Sequence, residues 1–136
     1  MNYPKFFLVS GAFFGFLSVA LGAFGAHGLE KILTEKLLET FKTAVEYQSL
    51  HSIVLLIIGL LASQPLKTSA IKLAGSCFII GILLFSGSLY LYIATQTTLF
   101  AMITPVGGIF FLFGWLALIV AALKHAPPQD RQQIDK

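Results

Sequence analysis

The sequence predicts an all-α membrane protein, a bundle of four transmembrane helices with an amphipathic helical segment between the first and the second. Two observations carry that reading. Of 136 residues, 57% are hydrophobic and only 11% charged, more apolar surface than so short a chain can bury as a soluble domain. No Asp, Glu, Lys or Arg occurs from Phe6 to Leu29, from Tyr47 to Leu66 or from Leu73 to Leu123. The first two runs each suit one span of roughly 20 residues, and the third is long enough for two. The net charge of +3 is too small and dispersed for a nucleic-acid partner. Cys77 is the single cysteine, so no disulfide can form within the chain.

The first span is expected at about 6–27, after the polar lead Asn2-Tyr3-Pro4-Lys5. Its apolar run is longer than the roughly 7–15 residues of a cleavable secretory signal. Gly11, Gly15, Ser18 and Gly22 recur at helical spacing and, with Gly25, make a face on which another helix can approach closely. Gly28 suits a left-handed C-terminal cap, and His27 the negative end of the helix dipole.

From Leu29 to Thr43 the pattern becomes two-faced. Leu33, Leu37 and Phe41 form an apolar stripe, and six charges occupy the other positions. Thr34 suits an N-cap, and Lys31/Glu35 and Lys42/Glu46 have the i,i+4 spacing of weak ion pairs. The second span, about 44–63, stops before Pro65. Its plainly apolar part begins only at Leu50, so crossing a bilayer draws Glu46, Tyr47, Gln48 and His51 below the surface, with His51 about 10 Å deep.

The third span is expected at about 73–94. Thr95-Gln96-Thr97-Thr98 splits the long apolar run, and the fourth span follows at about 101–123. Pro105 near its start predicts a kink or a broken first turn. Gly87, Gly107 and Gly108 are further candidates for close helix packing. Residues 126–136 read as a polar tail outside the single membrane domain of residues 1–125. Both termini fall on the side holding six of the nine basic residues, which favours the cytoplasm.

Placed by depth, His27, Glu46, Tyr47, His51, Ser86, Ser88, Tyr90 and Thr104 gather in the outward half of the bundle. Ionisable groups at such depth are functional candidates, although hydroxyls and imidazoles also serve simply to lock helices together. His27 and His51 lack any metal-ligand spacing, so no metal and no cofactor is expected. No nucleophile elbow, phosphate loop or paired-carboxylate motif is present, and no enzyme activity is expected.

Gly22-Ala23-Phe24-Gly25-Ala26-His27-Gly28-Leu29, Tyr47 with His51, Phe85-Ser86-Gly87-Ser88-Leu89-Tyr90, Ile103-Thr104-Pro105-Val106-Gly107-Gly108 and Gly114-Trp115 together resemble the signature of the YgdD-like family. These are small bacterial inner-membrane proteins, with a eukaryotic branch, that carry a domain of unknown function. The resemblance spans about positions 6 to 123, with Val106 where isoleucine is expected. It implies four transmembrane helices in the inner (plasma) membrane and carries no activity. The function expected is therefore that of a non-enzymatic packing, accessory or scaffold protein. Its partners would be the lipid bilayer and either further copies, as a homo-oligomer, or a larger membrane complex. The alternative is a binder or transporter of a small solute, a proton or ion, or a lipid or quinone head group through the outward polar cluster.

Overall fold

A computed structural model describes residues 2–64 and 69–124. It consists of four long helices: α1 (Tyr3–Phe24), α2 (Glu35–Ser63), α3 (Ser69–Thr95) and α4 (Thr98–Leu123). Each is long and apolar enough to cross a membrane. The expected tail at 126–136 and the residues Pro65 and Lys67 lie outside the described residues.

The helix ends follow from their capping chemistry and differ in places from the expected spans. Asn2 accepts a hydrogen bond from the Lys5 amide, and Pro4 in the first turn needs no donor there, so α1 starts at Tyr3. The left-handed cap expected at Gly28 does not form, because no described glycine has a positive φ. Instead, Gly25–Leu29 widens into a π-helical turn. A Cβ at Gly25 would lie 2.7 Å from the Phe41 ring of α2, so any larger residue there would have to displace that ring.

Thr34 does cap α2, its hydroxyl accepting from the Leu37 amide at 3.4 Å. The amphipathic segment is the opening of α2 and runs into the apolar stretch without a break. A helix of 29 residues is about 43 Å long, well beyond the hydrocarbon thickness, so its charged turns stand clear of the lipid. The ion pairs expected at Lys31/Glu35 and Lys42/Glu46 do not form among the described residues. Lys31 precedes the helix, and the side chains of the second pair are exposed.

α2 ends at Ser63, with Gln64 extended as the residue before a proline must be. The turn between α3 and α4 is only Gln96 and Thr97, and Gln96 takes the left-handed φ of 56° that so tight a reversal requires. α4 begins at Thr98 and continues through Pro105 without a broken turn, one of the two outcomes expected there. Neighbouring turns hold the helix although the Ala101 carbonyl has lost its usual donor.

The helices pack in chain order: α1 on α2, α2 on α3, α3 on α4. Two glycine contacts set the first seam. A Cβ at Gly11 would come within 2.9 Å of the α2 backbone at Ser52 and Leu56, and one at Gly59 within 2.9 Å of the Leu8 amide. The third seam is set by Gly107, whose added Cβ would overlap the backbone of Phe85 and Leu84. Gly81 and Gly114 receive the rings of Phe111 and Phe78. The apolar core, which includes Phe7, Leu55, Ile58, Phe78 and Ile82, fills the half of the bundle away from the α3–α4 turn. The backbones of α2 and α4 do not come together. Rings bridge the gap between them, and it is there that the candidate site lies.

A candidate lateral binding groove

Phe111 is 13 residues from the start of α4 and 12 from its end, about 20 Å from each by helical rise. His51 stacks on it, with ring centroids 3.7 Å apart and planes 3° from parallel. His51 is therefore at mid-height, deeper than the 10 Å expected from the sequence. Its ring is 2% exposed, and Phe78 and Trp115 border it at 5.3 and 6.3 Å. One turn earlier, Tyr47 stacks on Phe85 at 4.4 Å.

Between α2 and α4 these rings border a groove of about 540 Å³, whose lining includes Glu46, Leu50, Pro105, Gly108, Leu112 and Trp115. Phe85 of α3 contributes to its floor. Leu50, Leu112 and Trp115 are exposed on the flank of the molecule, so at this height the groove opens towards lipid. Gly107 holds α4 tightly on α3, and Gly108 leaves its side of the groove without a side chain.

The expected polar residues are divided among separate places. Ser88 donates to the Phe85 carbonyl at 3.0 Å. Its only proton is thereby used, so Thr104 donates to Ser88 across the 2.8 Å hydroxyl contact that ties α4 to α3. Tyr90 donates to Gln48 Oε1 at 3.0 Å, and Gln48 Nε2 donates to the Phe14 carbonyl of α1 at 2.9 Å. Gln48 thus joins three helices, a role that reasoning from ionisable groups missed. Its signal was positional: with Phe41, Ala44, Ser52 and Leu55 it lies on the buried stripe of α2.

Ser86 is fully enclosed, and its hydroxyl has no partner. Glu46 is exposed and lines the groove. His27 is exposed on the π-helical turn. Gly25 beside it meets Phe41, ten residues or about 15 Å along α2 from His51, so the two histidines are not brought together. Among the described residues no group of His, Cys, Asp and Glu could hold a metal ion.

Of the expected packing glycines, Gly11, Gly15, Gly22 and Gly25 face α2, and Gly107 meets α3. Ser18 is buried and donates to the Gly15 carbonyl at 2.8 Å within α1. Gly87 and Gly108 make no close approach, a Cβ at either meeting nothing nearer than 3.9 Å.

Four apolar helices, with polar groups tied inside them and a groove open on the flank, define a small multi-pass integral membrane protein. The chain belongs to the family described as proteins of unknown function (DUF423), whose model matches residues 21–108. It is similar to the membrane protein YwdK of Bacillus subtilis, at 40% identity over 89% of this chain and 98% of that one. A membrane protein of Haemophilus influenzae is 44% identical over 87% and 94%. The inner membrane protein YgdD of Escherichia coli is 40% identical over 88% and 91%. No solved structure matches the chain.

Proposed function

We propose that this protein binds a membrane-soluble amphiphile in the groove between α2 and α4, entering sideways from the lipid, and that it does so without catalysis. The observation that carries the reading is a polar group at the floor of a lipid-facing groove, His51 with Tyr47 beside it. Soluble proteins take ligands in concave, mostly apolar sites with a few placed polar groups, and the same logic applies where the solvent is lipid. The small-residue stripe of α1 supported an accessory role beside another protein. Its glycines are occupied against α2 within this chain, which weakens that support. We place the protein in the inner membrane with both termini cytoplasmic, on the bias of basic residues and the name of the Escherichia coli relative.

The test is photolabelling. Reconstituted in vesicles containing a small fraction of diazirine-bearing acyl chains, the protein should be labelled preferentially at Leu50, Leu112 and Trp115. Flank residues away from the groove, such as Phe16 and Val19, are more exposed and should be labelled less. Labelling that simply follows exposure would overturn the reading.

A further inference from the structure

We propose that the group received at the floor of the groove is a hydrogen-bond donor, a free hydroxyl on an apolar chain, and that Nε2 of His51 accepts it. The inference rests on the groove being a binding site and adds the chemical class of its ligand.

His51 Nδ1 lies 2.7 Å from the Tyr47 carbonyl oxygen. A carbonyl cannot donate, so the proton of this contact is on Nδ1. For a neutral ring that leaves Nε2 as a bare acceptor. The ring cannot turn to satisfy Nε2 elsewhere without losing both this bond and its face-to-face stack on Phe111. No described side chain or backbone group pairs with Nε2. Nor is it sealed in, for the only enclosed and unpartnered side-chain polar atom among the described residues is the Ser86 hydroxyl. His51 lines the groove, and with Nδ1 turned to its own helix, the far side of the ring is the side left for a ligand.

Nε2 lies beside Phe111, about 20 Å from either end of α4. The other polar lining groups, Tyr47 and Glu46, enter four and five residues earlier on α2. At the depth of Nε2 an acceptor selects by chemistry. Esters, ethers and phosphodiesters present oxygens without protons and would set acceptor against acceptor. A quaternary ammonium has no proton to give. A hydroxyl has one, and the apolar walls at Leu50, Ile109 and Leu112 suit the chain that carries it.

Trp115 is the only tryptophan in the chain and lines the groove, so bromine on a ligand can report occupancy by quenching its fluorescence. The probes are dodecan-1-ol brominated at carbon 6 and the methyl ether of the same compound, added to the full chain in detergent. N-acetyltryptophan ester in the same micelles gives the baseline. The alcohol should half-quench at about tenfold lower concentration than the ether, the discrimination one hydrogen bond supplies. His51→Phe keeps a ring on Phe111 and should bring the alcohol to the level of the ether.

Equal quenching by alcohol and ether in the unaltered protein, both above baseline, would overturn the donor inference and leave the groove reading standing. Quenching at baseline by both would sink the groove reading itself. A preference for the alcohol that survives in folded His51→Phe would show that His51 is not the acceptor. The comparison of the two probes on the unaltered chain decides the matter even where the variant does not fold.

Discussion

Gln48 and His51 stand three residues apart on α2 and are equally hidden, 3% and 2% exposed, yet they are in opposite states. Both ends of the Gln48 amide are engaged, one by Tyr90 and one by the Phe14 carbonyl. Only one His51 nitrogen is engaged, by its own helix. The amide faces the seam of α1, α2 and α3, where both of its ends find partners. The imidazole faces α4, which Gly107 holds on α3 and which never reaches the α2 backbone. Burial alone therefore does not separate structural from functional polar groups in lipid. Unused hydrogen-bonding capacity that opens on a groove does, as at His51, whereas the equally unused Ser86 hydroxyl is enclosed.

The largest effect expected is from Gly107→Val, which tests whether the groove owes its shape to the α3–α4 seam. Its side chain meets the backbone of Phe85 and Leu84, which cannot move aside as a flexible side chain could. A loss of about 3 kcal/mol is expected in reversible unfolding in detergent, and the folded fraction should lose Trp115 quenching by the bromoalcohol. Next comes Gln48→Leu, expected to cost about 2 kcal/mol by leaving the Tyr90 hydroxyl unpaired. Adding Tyr90→Phe should return about half of that, a non-additivity that a double-mutant cycle measures.

His51→Phe should change stability by less than about 1 kcal/mol, because the ring stack is kept and the Tyr47 carbonyl retains its helical donor. If instead it destabilises as much as Gln48→Leu, the contrast between the two residues collapses. Smallest of all are Ser86→Ala, which removes an unpartnered hydroxyl, and Gly87→Ala, which fills open space. Each should raise the unfolding free energy slightly, by about 0.5 kcal/mol.

Much of the architecture was legible because the membrane imposes it through simple quantities. Charges bound the apolar runs, and Thr34 and the Thr95–Thr98 turn were readable from their own chemistry. The entry to α2 was less so. A change in hydropathy at Ala44 resembles a boundary between elements, but the helical hydrogen-bond ladder continues across it, since the ladder is indifferent to whether water or lipid lies outside. The polar cluster was only half legible. Counting residues along each span placed Tyr47, His51, Ser88 and Thr104 at comparable depth, but depth does not say which way a side chain faces. Gln48 was placed below the surface by the same count but kept out of the cluster because it does not ionise, and His27 stands apart because the π-helical turn leaves it exposed.

What the sequence determined by itself was the number of helices and the approximate place of each turn. Both depend on one-dimensional features: the length needed to cross hydrocarbon, and the cost of a charge within it. Which polar atoms would meet, and which would be left open to a ligand, was decided only in three dimensions. Glycine contacts fix how closely the helices approach and how each is rotated, and turning α2 by the roughly 60° that separates Gln48 from His51 would carry one into the surroundings of the other.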